Sequence, residues 1–310
     1  MTNREKYTQL CTHGDFPLHA RAWWLEQSAH TNSWDVLLLE DKEGRIEAAL
    51  PYVLSSRLGF RMMLMPRHTQ YNYMYVAPTA SPDIYCRMAD TLAAKCREEH
   101  IGYVCMQGFY PQAFLEALDR HQYCIKERVT YRIENIPGEE ALLDSFSSNK
   151  RRQYKKASML RLVDLSVADF YAFEQSCWSA QGNTIDYPLE WAQSVLGEAV
   201  KRGQGRLIAA QDTDGALLAS FFMAWDNRYA YFLLPAYYPR TKQQGGMAWL
   251  TTQAMRIARS KGLGFDFEGS MIPSIASSYL QFGATPTTYH SIEKYYNPIF
   301  RIVIWLHQHI

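Results

Sequence analysis

Apolar residues along this chain recur at two spacings. Every second position is apolar over short runs, and every third or fourth over longer ones. The first spacing fits half-buried strands and the second fits helices with one packed face. A helix is expected over residues 17–28, carrying Trp23, Trp24 and Leu25. Apolar runs at 34–40 and 46–54 flank Asp41, Lys42, Glu43 and Gly44, a glycine-closed polar turn that predicts a hairpin. A strand at 60–65, a helix at 82–100 and a strand at 101–108 follow. Further on, the pattern predicts a strand at 131–136, a helical start at 137–142 and a helix at 145–157. Helices at 170–178 and 189–202 enclose a polar loop, and strands at 206–210, 216–225 and 229–234 come next. Over 247–261, Met247, Leu250, Ala254, Ile257 and Ala258 share one helical face, and Gly262 is placed to stop the helix. Residues 263–270 alternate, with Phe265 and Phe267 facing one way and Asp266 and Glu268 the other. A last helix leads into residues 281–284.

Two parts of this pattern occur twice. Residues 101–111 overlay 263–273 without a gap, with Gly102 on Gly264, Tyr103 on Phe265 and Pro111 on Pro273. The hairpin at 36–44 likewise matches 207–215. Two repeats in the same order predict a tandem pair of α/β domains, each a mixed central sheet flanked by helices. The expected division is 1–136 and 137–310. In the first copy Val104 and Met106 stand where Asp266 and Glu268 stand in the second, so the first half reads as degenerate and chemistry belongs to the second.

Composition narrows the reading. Of 310 residues, 47% are hydrophobic and 20% charged, which is a folded globular chain. The 32 basic and 31 acidic residues nearly cancel, so a polyanion would need a local patch. Six cysteines show no Cys-x-x-Cys spacing, and reduced thiols in a cytoplasmic protein are expected. No run has the length of a membrane span, and the N-terminus has no signal-like apolar core. The apolar run at 299–306 is broken by Arg301 and reads as a packed terminal element or a subunit contact. No metal-ligand or serine–histidine–acid spacing appears, so neither a metal site nor a hydrolase is expected.

Three stretches carry candidate chemistry. Gln243, Gln244, Gly245, Gly246 and Ala248 open a helix with small residues, where backbone N–H groups and the helix dipole favour an anion. Asp266 and Glu268 share one side of an otherwise apolar strand. Ser147, Ser148 or Asn149 can cap a helix whose first turns carry Lys150, Arg151, Arg152, Lys155 and Lys156, a charge placement that a bound anion would relieve. The spacing Gln243–Gly246–Ala248 after a strand resembles the phosphate loop of the GNAT acyltransferase superfamily. Residues 265–270, the helix running to Gln281, Phe282, Gly283 and Ala284, and the basic helix at 145–157 resemble the FemAB-type branch of that superfamily.

That resemblance implies an enzyme, an N-acyltransferase moving an acyl group from acetyl-CoA or another acyl-CoA to an amine. The FemAB-type branch also allows aminoacyl transfer from tRNA to a cell-envelope precursor, although the near-neutral charge disfavours a large RNA footprint. A third expectation is a non-catalytic protein holding a small ligand on the inherited scaffold. Amine attack needs a base, for which Glu268 and Asp266 are the candidates, with pKa values raised by burial. One of them pairing with an arginine such as Arg240 is the plainer alternative. The loop at 243–248 is expected to hold the donor. Arg151, Arg152, Lys155, His68, Gln70, Tyr71, Tyr187 and Tyr289 are expected around substrate, with Tyr231, Tyr237 and Tyr238 as further phenols. No DNA partner and no integral membrane segment are expected.

Overall fold

The computed structural model describes residues 1–57 and 59–302, and leaves the side chains of Arg240, Lys242 and Gln243 outside that description. Residues 303–310, part of the apolar C-terminal run, also lie outside the described residues. The chain divides into two compact units, residues 1–128 with 288–310, and residues 129–287. The elements begin with α1 (Asn3–His13), α2 (Ala22–Ala29), β1 (Ser33–Glu40), β2 (Ile46–Arg57), β3 (Phe60–Leu64) and β4 (Tyr75–Val76). Next come α3 (Ile84–Glu98), β5 (Ile101–Gly108), α4 (Gln112–Arg120), β6 (Cys124–Ile133), α5 (Glu139–Asp144) and α6 (Ser148–Lys156). Then follow β7 (Arg161–Asp164), α7 (Val167–Ser179), α8 (Leu189–Lys201), β8 (Gly205–Gln211), β9 (Leu217–Trp225) and β10 (Tyr229–Tyr237). The last are α9 (Gly246–Ser260), β11 (Gly264–Asp266), α10 (Pro273–Leu280) and β12 (Thr285–Tyr295).

In the first unit β1, β2 and β3 form an antiparallel meander, and α3 crosses over to set β5 parallel to β3. Strand alternation divides its core. Leu37, Leu50, Met63 and Val104 pack under Met88, Leu92 and Phe114, whereas Trp34, Val36 and Val53 pack against Tyr7 and Leu25 on the other face. In the second unit β7, β8, β9 and β10 are antiparallel in sequence order, and α9 crosses over to set β11 parallel to β10. Phe221, Phe232, Phe265 and Phe267 pack there against Leu250, Ala254, Met255 and Ala258 of α9, with Leu142 and Phe146 completing the cluster. Parallel strands need such a crossover helix. Both units contain the run helix pair, hairpin, strand, helix, strand, helix that the internal repeat predicts, the second after α5, α6 and β7, and the first with the short β4 ahead of its crossover helix.

The halves exchange their last strands. The end of β6 pairs antiparallel with β11 inside the second unit, Ile133 opposite Phe265 and Arg132 opposite Asp266. The end of β12 pairs antiparallel with β5 inside the first, from His290 opposite Gly108 to Tyr295 opposite Tyr103. The compact units consequently divide at 128/129 and 287/288, where the sequence reading divides the chain once, at 136/137.

Several element boundaries differ from the periodic pattern. The polar N-terminus forms α1, closed by a capping box between Thr2 and Glu5 and burying only Tyr7. The helix expected from 17 starts at Ala22, after a 3-10 turn at Leu18–Ala20. β10 runs on to Tyr237, and β6 starts at Cys124 rather than 131. The strand expected to reach 270 stops at Asp266, because Glu268 and Gly269 adopt left-handed φ values of 63° and 73°. Glycine is required at 269, since a Cβ there would meet the Val129 carbonyl oxygen at 2.5 Å.

Candidate active site

The second unit contains a cavity because two adjacent strands part. β10 pairs with β11 only from Tyr229 to Tyr231, and β11 then ends while β10 continues to Tyr237. A register shift between Leu233 and Ala236, with Leu234 at φ 50°, bends β10 where the pair separates. The space beside the strand end is a cavity of about 330 Å³. Phe232, Tyr237, Met247, Phe267, Tyr279 and Phe282 supply much of its wall, and Gly245, Ala248 and Thr251 bring the first turns of α9 to it. That volume is at the lower end of the roughly 300–1,000 Å³ typical of small-molecule sites.

Among the expected donor-loop residues, Gly245 and Ala248 line this cavity, and Gly246 is buried against Leu218. Gln244 is exposed, and the side chain of Gln243 lies outside the described residues. Gly245 adopts φ 79° at the N-cap of α9, and a Cβ there would lie 2.1 Å from the Gln153 carbonyl oxygen. Helix α6 therefore lies directly against the start of α9, at a spacing that only glycine permits.

The two acids have different surroundings. Asp266 is fully buried and accepts hydrogen bonds on both oxygens. Thr130 Oγ1 donates to Oδ1 at 2.6 Å, the Glu268 backbone N–H to the same oxygen at 2.8 Å, and Arg132 Nε to Oδ2 at 2.7 Å. An arginine that pairs with this acid is thus Arg132, delivered by the exchanged strand β6; the side chain of Arg240 lies outside the described residues. Asp266 fixes the backbone of Glu268 in its left-handed conformation. Glu268 is itself buried, and burial holds its carboxyl well above the usual carboxylate range. The charges of Asp266 and Asp226 push the same way, against the pull of Arg132. Tyr231 donates its hydroxyl to Asp226 Oδ2 at 2.5 Å and is a core phenol.

Tyr279 connects these acids with the cavity. It lines the cavity and stacks on Phe267 with ring centroids 4.5 Å apart. Burial and the charges of Glu268 and Asp266 raise its hydroxyl pKa. Sequence reasoning did not single it out among 21 tyrosines. The signal that marks it is a helically spaced stripe, Ile275, Ser278, Tyr279 and Phe282, every member of which lines the cavity.

Helix α6 divides its basic residues between inside and outside. Ser147 caps it through the Lys150 backbone N–H. Arg151 turns back, its Nη1 donating to the carbonyls of Asp144 at 3.2 Å and Phe146 at 2.9 Å, so it closes the end of α5. Arg152 and Lys155 are exposed and, with Ser148, Arg151 and Lys156, border a shallow basic depression. Lys150 points inward and is 5% exposed. It lines the cavity, a placement that the run of five basic residues did not single out.

The remaining expected residues fall elsewhere. Tyr187 is buried, donates its hydroxyl to Glu174 and packs on Trp191 at 4.8 Å. Glu174, which sequence reasoning passed over, is buried in α7, and burial pushes its carboxyl up to about 7. In the first unit, Gln70 donates to the Tyr289 hydroxyl at 2.7 Å, and Tyr71 meets the Tyr289 ring edge-on at 5.0 Å. Tyr71 and Tyr289 form an aromatic pair that Gln70 joins by its hydrogen bond, with His68 on the same loop at φ 51°. The six cysteines are all free thiols. Among the described residues no group of histidine, cysteine and acidic side chains is arranged to hold a metal, and no helix is long and apolar enough to cross a membrane.

Comparison with known proteins bears on the fold. Residues 145–271 match the family model described as an acetyltransferase (GNAT) domain. Similar solved structures include FemX, with a TM-score of 0.71 and 11% identity over 98% of each chain. A tandem GNAT protein from the clavulanic acid biosynthesis pathway matches with a TM-score of 0.58 and 12% identity, over 94% of this chain and 92% of that one. The C-terminal domain of a putative lysylphosphatidylglycerol synthetase from Agrobacterium fabrum matches with a TM-score of 0.58 and 11% identity, over 94% and 91%. No curated protein matches in sequence. At such identities the likeness is one of fold.

Proposed function

We propose that this chain, which has the tandem, FemAB-like fold of the GNAT superfamily, is an N-acyltransferase that moves an acyl group from a CoA thioester to an amine. The observation that carries the reading is the parted pair of β10 and β11, with a cavity beside the freed edge of β10 and the start of α9 at its border. The amides of a pantetheine arm can bond along such an edge as an added strand would. The first-turn N–H groups of α9 favour the diphosphate. In the reaction the amine nitrogen attacks the thioester carbonyl, its proton passes through water to Glu268 in its ionised form, which becomes available as pH approaches its raised pKa, and the sulfur leaves. Tyr279, beside Glu268, is the group placed to protonate the departing thiolate. Asp266 positions Glu268 and does not itself take the proton. The location proposed with this reading is the cytoplasm.

A second reading is aminoacyl transfer from tRNA. It is favoured by the closeness of α6 to the start of α9, which narrows the room for a diphosphate, and by the outward row of Arg152, Lys155 and Lys156. Thermal-shift titration separates the two. Acetyl-CoA is expected to raise the melting temperature while ADP does not, by about 2.7 kcal/mol of linkage at a hundredfold excess over Kd. Ser274→Trp, an exposed position on the cavity wall, should abolish that shift. No shift with acetyl-CoA, together with a shift on adding an aminoacylated RNA minihelix, would replace the first reading by the second.

A further inference from the structure

The cavity described above contains a cation without a counter-ion. Lys150 Nζ donates to Ser278 Oγ at 3.0 Å and lies 4.4 Å over the Phe282 ring. Among the described residues it forms no ion pair. An ammonium has three donors, and the hydroxyl and the ring face occupy two of them. The third is available on the side of the cavity that Lys150 lines. Burial alone pushes its pKa down to about 8, with no neighbouring carboxylate to restore it. A charge held in this way is a cost to the empty fold, and a ligand anion is what would offset it.

We infer that Lys150 is the anion anchor of this cavity, and that the ligand group seated there has a compact oxyanion head, carboxylate or phosphate, on an apolar body. The inference shares with the function proposed above only the premise that this cavity holds ligand. The walls set the body of the ligand: Phe232, Phe267, Phe282, Met247 and Leu218 offer apolar contact. Ile275 continues that surface outward along α10, a helix with no buried residue, where Ile272 and Leu280 are exposed. A bare inorganic anion would leave these walls unfilled, and a neutral apolar ligand would leave the ammonium uncompensated. Lysine suits the task because its point charge on a flexible stem can follow the head of the ligand while the stem packs in the wall.

The test uses the full chain and calorimetric titration with octanoate, octyl phosphate and octanamide. At least one of the two anions is expected to bind while octanamide does not, and whichever anion binds identifies the head. Lys150→Met keeps the volume and removes the charge. It should weaken anion binding roughly ten- to hundredfold, while its melting temperature without ligand equals or exceeds that of the native chain. Ser278→Ala, on a helix with no buried residue, should weaken binding several-fold with no loss of fold. Equal binding of octanamide and both anions, no binding of either anion, or unchanged anion binding by Lys150→Met would each overturn the inference. An acetyl-CoA shift that persists without any octanoate or octyl phosphate binding would remove the anchor and leave the donor assignment standing. Anion binding without an acetyl-CoA shift would do the reverse.

Discussion

At the residue scale, Asp266 and Glu268 are two positions apart and in opposite electrostatic situations. Asp266 has donors on both oxygens, whereas burial and like charge favour the neutral form of Glu268. The unfolded Glu268 side chain loses its proton near 4.5, while the folded one keeps it well above that pH. The native state then binds more protons than the unfolded state from pH 4.5 upward, and stability contributed by the neutral carboxyl is lost as pH rises toward the folded pKa. Glu268→Gln removes this dependence. Its urea midpoint is expected to match or exceed that of the native chain at about pH 8, with the difference shrinking toward about pH 4, while acyl transfer is lost. A difference that grows toward low pH would contradict the raised pKa. Lys150 has the opposite sign, since its folded pKa is depressed: the stability of the neutral amine is present above the ordinary 10.5 and is lost as pH falls through about 8. The acids were legible in the sequence because two carboxylates broke an apolar alternation. Their contrasting surroundings were not, because those depend on Thr130 and Arg132, more than 130 residues away.

At the element scale, the strands and helices with strong periodicity, β8 to β10 and α9, lie close to where alternation and the 3.6-residue repeat place them. The misses have physical causes. β11 ends early because left-handed backbone at Glu268 and Gly269 turns the chain out of the sheet, which a hydrophobicity pattern does not register. β12 went unread because the polar run Thr285, Thr287 and Thr288 hides a strand defined by its partner. β6 matters most for the site, since it supplies Arg132. Arg132→Met would leave Asp266 buried without its cation, at a cost of about 3–5 kcal/mol, read as a drop in urea midpoint. Adding Asp266→Leu removes the stranded charge and is expected to recover much of that loss. If the double variant is no more stable than Arg132→Met alone, the pair is not the reason for the loss.

At the scale of the whole molecule, the internal repeat was legible because both copies keep a glycine-led strand between helices, at Gly102 and Gly264. The unit boundaries were not, because each copy ends in a strand that pairs inside the other unit. Cutting at 136/137 therefore separates β11 from β6 and β5 from β12. Residues 137–310 expressed alone should show no cooperative unfolding transition, whereas co-expressed with 1–136 they should reassemble and unfold together. A cooperative transition for 137–310 alone would show that the strand exchange is dispensable.

The exchange also bears on how such a chain can evolve. In the first unit Val104 and Met106, both buried, occupy the positions of the acids, so that copy has ordinary core where the second has carboxylates. Duplicated domains joined end to end are free to drop the idle copy by a single deletion. Here that deletion would take β6 with it, and with β6 the cation that Asp266 depends on. The two copies are therefore tied together: positions 104 and 106 carry no carboxylate, while the last strand of the first copy holds Asp266 of the second.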